Sequence, residues 1–172
     1  GLARRTSPTN IGLALTSAVS AMDMGIIEAD ECASFCGRIV DTLEKMPRFR
    51  GHFYNWYDTA SLRPLRPAFI STVDSGNLYA CLLICREAML ELGETMLASR
   101  TASLMKEMDF SPLYDAERAL FHICYDTEKE RCAGGYYDLM ASEAMLTSYI
   151  AVAKGDVPVK HWRRLSRAQL QK

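Results

Sequence analysis

The segment between Pro47 and Thr72 constrains the fold most, because it separates two stretches of helical pattern and cannot itself form a regular helix. It contains three prolines and the aromatic run Gly-His-Phe-Tyr-Asn-Trp-Tyr-Asp-Thr at positions 51–59. We expect short extended pieces here, with a small β-hairpin. A loop of this length inside a compact domain is usually functional. Aromatic rings beside carboxylates suit a carbohydrate, because rings cover the apolar faces of sugars while acids bind hydroxyls or transfer protons.

Apolar residues at helical spacing predict helices on both sides of this segment. The Ser7-Pro8 pair is typical of a helix start, and we expect Asp74 or Ser75 to cap the third helix. The predicted helices span about residues 8–24, 28–46, 74–92, 96–108 and 137–154, with a short last turn at 161–164. Residues 120–125 are predicted as a strand, and the glycine pair 134–135 as a break. The sequence therefore predicts an all-α chain of paired helices, whose long loops carry the chemistry.

Length and charge exclude several classes of protein. A chain of 172 residues can form one domain with a real core. Its net charge of −1, without a basic stripe of interleaved aromatics, argues against a nucleic-acid binder. No apolar run has the length of a membrane span. The abrupt start without an initiator methionine indicates a piece of a longer polypeptide.

The six cysteines and three histidines do not predict a metal or cofactor site. No Cys-x-x-Cys pair or histidine-rich spacing occurs, and cysteines four apart on one helix are poorly placed for a disulfide. We interpret the cysteines as reduced thiols in a reducing compartment. No cofactor and no metal ion are predicted.

Glycoside cleavage normally needs two carboxylates, and the sequence offers four candidates: Asp58, Asp74, Asp138 and Glu143. On one helix Asp138 and Glu143 would point about 140° apart, so they do not form a pair unless Asp138 precedes the helix as its cap. Capping is also the alternative role of Asp74, and Asp58 is alternatively a plain loop residue. Glu143 is predicted in mid-helix near the apolar face, where burial would keep it protonated as a general acid requires.

Other side chains could contact the substrate, although each has a structural alternative. His52 and His122 can bond sugar hydroxyls. Arg5 and Asn10 can hydrogen-bond a substrate, or serve the cap of the first helix. Three rings can form a sugar platform or simply pack the loop on helix ends: Tyr54, Trp56 and Tyr57.

Six segments, taken in order, closely resemble the glycoamylase-like domain of cyclic β-1,2-glucan synthases. They are residues 5–12, 51–59, 71–77, 108–115, 136–144 and 151–162, so the resemblance covers nearly the whole chain. Two departures are the glycine pair 134–135 and Cys124, which stand where the family more often has other residues. A third is length, since the family domain continues beyond the last of these segments.

The resemblance implies an (α/α)6 toroid, of which residues 1–172 would form about half, as a single partial domain. It implies that Glu143 is the general acid/base and that Asn77 and Tyr137 lie with the other candidates in the substrate site. It also implies a second essential carboxylate beyond residue 172. The family's host enzymes are large inner-membrane proteins that elongate linear β-1,2-glucan on the cytoplasmic side, where this domain closes the chain into a ring. Related stand-alone domains hydrolyse the glucan.

Two hypotheses follow. In the first, the chain is part of a β-1,2-glucan transglycosylase or glucanase, itself soluble and inactive when isolated from the rest of a membrane-associated synthase. In the second, it is a non-catalytic glucan-binding or self-associating helical module, because half of a toroid would expose inner-helix surface that a second copy or a partner covers.

Overall fold

The computed structural model describes residues 3–167, which contain six α-helices and eight short or medium strands. The helices are α1 (Pro8–Asp23), α2 (Ala29–Lys45), α3 (Thr72–Glu91), α4 (Thr95–Glu107), α5 (Met145–Lys154) and α6 (Lys160–Arg164). The strands are β1 (Arg5–Thr6), β2 (Arg48–Phe49), β3 (His52–Phe53), β4 (Tyr57–Asp58), β5 (Phe69–Ser71), β6 (Tyr114–Asp115), β7 (Leu120–Asp126) and β8 (Arg131–Tyr137). A 3-10 turn covers Ser111–Leu113.

Helix α3 is the centre of the structure, because it packs against α1, α4 and α5. Its buried residues include Leu78, Leu82, Cys85 and Met89, which join the core that α1, α2 and α4 share. On its other side Gly76 allows close approach to α5, since a Cβ there would lie 1.9 Å from the Thr147 hydroxyl oxygen. The first turn of α3 is therefore fixed directly against the first turn of α5.

The helices carry a small antiparallel sheet, so the all-α prediction is wrong in this respect. Strand β7 pairs with β5 and β6 along one edge and with β8 along the other. The hairpin predicted in the segment 47–72 is present as β2 paired with β3, and β4 pairs with β1. The predicted strand at 120–125 is confirmed as β7.

The glycine pair does not break the chain but lies inside β8. Gly134 and Gly135 have φ values of 84° and 86°, a left-handed conformation that favours glycine, and the ladder between β7 and β8 has an irregularity between His122 and Cys124. A Cβ at Gly134 would also lie 2.9 Å from the Cβ of Ile123. Glycine thus lets the strand continue to Tyr137 where the sequence suggested an end.

The helix predicted for residues 137–154 is wrong in its first half. Tyr136 and Tyr137 pair with His122 and Phe121 in the sheet, residues 138–144 form turns, and α5 begins only at Met145. Leu139 and Leu146 are 52% and 40% exposed, so they do not form a buried helix face. Long-range strand pairing overrides the local helical spacing here.

The described residues contain six free cysteines, four of them buried. Among residues 3–167, no group of three or more His, Cys, Asp or Glu side chains could hold a metal ion. In the same range, none of the helices has both the length and the apolar character that crossing a membrane requires.

Candidate functional site

Glu143 lies in the turn between β8 and α5, not in the middle of a helix. Its side chain is exposed, which corrects the sequence expectation of a buried carboxyl group. The Tyr137 hydroxyl donates a hydrogen bond of 2.9 Å to Glu143 Oε1. Among residues 3–167, Oε2 has no hydrogen-bond partner, so it can receive a ligand.

The turn that presents Glu143 is held by backbone bonds to the end of the described chain. Ser166 N donates to the Asp138 carbonyl at 2.7 Å, and Met140 N donates to the Ser166 carbonyl at 2.8 Å. Asp138 is exposed and acts here through its backbone, and α5 has Ala144 as its N-cap without a side-chain bond. The capping role considered for Asp138 is therefore wrong.

Asp74 is the centre of a polar network at the start of α3. Ser71 caps this helix, since its Oγ accepts from Asp74 N at 3.1 Å, so neither Asp74 nor Ser75 is the N-cap. Asp74 Oδ1 accepts from Thr9 N at 3.3 Å and from the Thr9 hydroxyl. Asn77 Nδ2 donates to the same hydroxyl at 3.1 Å. The network joins the N-terminal turn of α1 to that of α3.

Asn55 extends this network to Trp56. One orientation of the Asn55 amide gives both of its ends a hydrogen-bond partner. In this orientation Nδ2 donates to Asp74 Oδ2 at 3.0 Å, and Oδ1 accepts from Trp56 Nε1 at 2.8 Å. The Arg5 guanidinium lies 4.4 Å from the centre of the Trp56 ring, a distance typical of a cation–π contact. Both oxygens of Asp74 are thus engaged, and Trp56 is held at its edge and covered on one face.

The Tyr137 phenol is affected by burial and by two carboxylates, Glu143 and Asp74. Burial raises the pKa of the Tyr137 phenol well above its usual range, and the bond and charge of Glu143 raise it further. The charge of Asp74 acts in the same direction. The structure thus joins the sequence-predicted residues in two groups: Tyr137 with Glu143 through their hydrogen bond, and Asp74 with Trp56 through Asn55.

Two residues of this site were missed by sequence reasoning. Thr9 and Asn55 both lie inside segments that carry the resemblance, which was the only available signal, but nothing in their spacing distinguishes them from neighbours. Their importance comes from contacts with Asp74, and the Thr9 contact spans 65 positions of sequence. Local patterns cannot reveal such contacts.

Two predicted substrate ligands are core residues. Tyr57 is 0% exposed; its hydroxyl donates to the Pro47 carbonyl at 2.6 Å and accepts from Tyr54 N at 2.8 Å. His52 is 2% exposed, and its Nε2 donates to the Asp109 carbonyl at 2.6 Å. Burial lowers the pKa of His52. Neither side chain can reach a substrate, and Tyr54 is half-buried with its ring edge-on to Tyr57, so the loop-packing alternative describes these residues.

The remaining predicted ligands lie at the edge of the loop region. Asp58 Oδ1 accepts from Ser61 N at 2.7 Å, from the Ser61 hydroxyl at 2.8 Å and from Ala60 N at 3.1 Å, so it closes a turn. These bonds from Ser61 lower the pKa of Asp58. Asn10 is exposed at the rim of an apolar cleft of about 290 Å³ between α1 and α2, and its backbone N–H donates to Ser7 Oγ. Neither residue joins the network around Asp74.

The last motif of the resemblance is structural. Lys154 Nζ donates to the Met108 carbonyl and to Asp156 Oδ2, both at 2.7 Å, and Asp156 Oδ2 accepts from Phe110 N at 3.0 Å. This clamp joins the end of α5 to the segment after α4. It holds the helix whose other end carries Glu143.

A buried histidine, His161, secures α6 in the same way. Its Nδ1 donates to the Ala119 carbonyl at 3.0 Å, and its Nε2 accepts from Ser148 Oγ at 2.8 Å. The side chain is 0% exposed, and burial lowers its pKa. Because both ring nitrogens are bonded while the ring is neutral, the histidine is a structural element of the fold.

His122 lies on the opposite face of the sheet from Phe121, half-buried, with its ring 4.5 Å from that of Tyr136. The Tyr136 hydroxyl donates to Asp115 Oδ2 at 2.8 Å. The neighbouring tyrosines of β8 thus bond different carboxylates: Tyr136 bonds Asp115, and Tyr137 bonds Glu143. His122 belongs to the Asp115 cluster and not to the site around Glu143.

Comparison with known proteins confirms the resemblance seen in the sequence. No family model matches the chain. The chain is 26% identical to the cyclic β-(1,2)-glucan synthase NdvB of Rhizobium meliloti (strain 1021), in an alignment that covers 96% of this chain and 10% of the synthase. The chain therefore spans about a tenth of that relative. The alignment extends over 293 residues, more than the 172 of this chain, so it includes synthase residues without a counterpart here.

Solved structures show the same fold within larger chains. A glucoamylase-like protein of Bacteroides fragilis superimposes with a TM-score of 0.77 at 19% identity, over 96% of this chain and 41% of that one. An endo-β-1,2-glucanase of Chitinophaga pinensis gives a TM-score of 0.73 at 17% identity, over 93% and 40%. These similarities indicate a fold of the α/α-toroid type, with the small sheet described above added to its helices.

Proposed function

We propose that this chain is part of a carbohydrate-active domain that acts on β-1,2-glucan and that Glu143 is a catalytic carboxylate of that domain. The observation that carries the proposal is the Glu143 carboxylate itself. One of its oxygens is bonded to Tyr137, and the other is unpartnered among the described residues. The similarity of nearly the whole chain to a cyclic β-(1,2)-glucan synthase supports the choice of substrate.

The chemistry requires a second carboxylate. Asp74 is a poor candidate, because Thr9 and Asn55 engage both of its oxygens. We assign it a supporting role: it holds Asn55 and, through Asn55, the edge of Trp56. As the resemblance implies, we propose that the second carboxylate comes from outside this chain, so that the 172-residue piece is a partial domain and inactive when isolated. Asn77 supports the same network through Thr9.

The exposure of Glu143 also supports the proposal that this chain is only part of the domain. A general acid must hold its proton until the leaving oxygen takes it, and enzymes achieve this by burying the carboxyl group. In this chain the group is exposed. We propose that the rest of the domain covers it. Following the resemblance, we also propose that the chain belongs to a larger membrane-associated synthase, on the cytoplasmic side of the bacterial inner membrane. The reaction is ring closure by transglycosylation, or hydrolysis.

The test uses the full reading frame that encodes this chain, together with the 172-residue chain, each incubated with linear β-1,2-glucan. Mass spectrometry separates cyclic products, which lack one water, from shortened linear products. Loss of a general acid/base lowers turnover by about 10²–10⁴-fold, so we expect Glu143→Gln to lose product formation. Glu91→Gln is the matched control, because Glu91 is equally exposed but lies at the far end of α3. Turnover by Glu143→Gln at the wild-type rate would refute the assignment.

A non-catalytic module that binds glucan or associates with itself is the second candidate. It is favoured by the outward face of α5, which is apolar: Met145, Leu146 and Tyr149 are 47%, 40% and 61% exposed. A helix that is apolar all round normally packs against protein on every side. Light scattering over a range of concentrations tests self-association, and calorimetry with linear glucan tests binding. Binding or a concentration-dependent dimer, without any product from the full reading frame, would favour this candidate over the enzyme.

A further inference from the structure

The hydrogen bond between Tyr137 and Glu143 joins one fixed and one free side chain. Tyr137 is the last residue of β8, pairs with Phe121 in the sheet, and is half-buried. Glu143 lies six residues further along, in an exposed turn. Among residues 3–167, the bond from Tyr137 is the only hydrogen bond that the Glu143 carboxylate accepts. The position of the carboxylate is therefore determined by a ring that the sheet holds in place.

We propose that Tyr137 is a positioning residue, which fixes Glu143 through Oε1 so that Oε2 faces the substrate. This inference rests on the proposed function of Glu143 and assigns Tyr137 a role other than direct contact with the substrate. It explains how an exposed side chain in a turn can have one defined orientation. A carboxylate on a flexible side chain would otherwise lose reactivity through disorder.

The hydroxyl of Tyr137 is suited to this role because it remains a donor. Burial raises the pKa of the phenol, and the carboxylates of Glu143 and Asp74 raise it further, as does the thiol of Cys124. Tyr137 therefore keeps its proton at neutral pH. An ionised phenol could not donate, and it would repel the carboxylate instead of holding it.

Strand β8 also supplies a matched control. Tyr136 has the same side chain in the same strand, but its hydroxyl donates to Asp115 Oδ2 at 2.8 Å. Asp115 caps the turn before β7, since its Oδ1 accepts from the backbone N–H groups of Glu117 and Arg118. Tyr136→Phe thus removes an equivalent hydroxyl–carboxylate bond away from Glu143.

The kinetic test measures kcat and KM on linear β-1,2-glucan for the full reading frame with Tyr137→Phe or Tyr136→Phe. Phenylalanine retains the packed ring, and circular dichroism verifies that both variants fold. Because misplacement by about 1 Å can cost roughly 100-fold in rate, we expect Tyr137→Phe to lower kcat by about 10- to 100-fold with KM nearly unchanged. We expect Tyr136→Phe to remain within about twofold of wild type on both constants. Equal kcat values for wild type and Tyr137→Phe would overturn the proposal, and so would a rise in KM alone, which would indicate direct binding.

A spectroscopic test does not depend on activity. In the 172-residue chain with 13C at the tyrosine Cζ atoms, the Tyr137 and Tyr136 resonances are assigned from the two phenylalanine variants. Glu143→Ala should shift the Tyr137 resonance at neutral pH and leave that of Tyr136 in place. An unmoved Tyr137 resonance would overturn the proposal whatever the glucan assay gives. A shifted resonance in a protein whose wild type makes no glucan product would support the Tyr137–Glu143 bond and refute the proposed function instead.

Discussion

The crossing of α3 and α5 gives the sharpest test of the structure, because it depends on the absence of one methyl group. Gly76→Ala would place a Cβ atom 1.9 Å from Thr147 Oγ1, 2.6 Å from its Cβ and 2.7 Å from its Cα. Carbon atoms at optimal separation are about 3.5–4.0 Å apart. The Cα atom belongs to the backbone, so no rotation of the Thr147 side chain can relieve the contact, and α5 must move.

The expected cost follows from these distances. Overpacking a core costs about 1–3 kcal/mol, and more when the backbone must shift. Moving Thr147 also strains its buried bond to the Thr72 carbonyl at 3.1 Å, which contributes about 1 kcal/mol. Alanine returns about 1 kcal/mol as the better helix former. These last two effects nearly cancel, so we expect Gly76→Ala to lower the free energy of unfolding by about 1–3 kcal/mol.

The same substitution at Gly37 is the matched control and should have the opposite sign. Gly37 lies inside α2, and a Cβ there would meet only Leu97 Cδ2, at 3.9 Å, an ordinary contact. Without overpacking, only the gain in helix propensity remains, about 1 kcal/mol of added stability. Urea denaturation followed by circular dichroism measures both variants, with unchanged m values showing that stability alone has changed. A Gly76→Ala protein as stable as wild type would refute the α3–α5 crossing described here.

Two further predictions concern stability. Asp156→Asn should lower the free energy of unfolding by about 1–3 kcal/mol in urea denaturation. The reason is that it weakens the ion pair with Lys154, in which the two side chains are only 20% (Lys154) and 15% (Asp156) exposed. An unchanged urea midpoint would contradict this. The chain should also lose stability as pH falls below about 6.5, the ordinary histidine pKa, because burial lowers the folded-state pKa of His52 and His161 while the unfolded chain takes up both protons. The two rings add to the free energy of unfolding above that pH, and each pH unit below it removes up to about 2.7 kcal/mol of this stability. Urea midpoints that do not fall between pH 7 and 5 would refute the neutral, buried state of both rings.

Elements with strong local signals could be predicted from the sequence. Helix α1 begins where Ser7-Pro8 indicated, with Ser7 Oγ accepting from Asn10 N, because an N-cap and a proline at the first position act within one turn. The bounds of α2 and α4 agree within about two residues, because apolar residues at helical spacing indicate them. The strand predicted at 120–125 is also present, although β7 is held in place by pairing with other strands, including the distant β5. For the helices, the forces that fix each element act between residues close in sequence.

Elements fixed by distant partners could not be predicted. Residues 137–144 have the apolar spacing of a helix, yet Tyr137 lies in the sheet because Phe121 pairs with it. Asp74 resembles an N-cap, yet the cap is Ser71, and the Asp74 carboxylate binds Thr9 from another helix. His52 and Tyr57 resemble ligands because aromatic and polar residues in a loop often are, and only their burial shows otherwise.

The segment from Tyr137 to His161 explains why the recognised motifs mix catalytic candidates with structural residues. Its first part presents Glu143 from an exposed turn, and its second part anchors α5 and α6 through the Lys154–Asp156 clamp and His161. The position of Glu143 depends on the backbone bonds of its turn to Ser166, on the bond from Tyr137 and on how rigidly the following helix is held. Loss of the clamp should therefore displace Glu143 although no clamp residue touches it. Under the proposed function, the residues that fix the helix therefore affect the reaction through the position of Glu143.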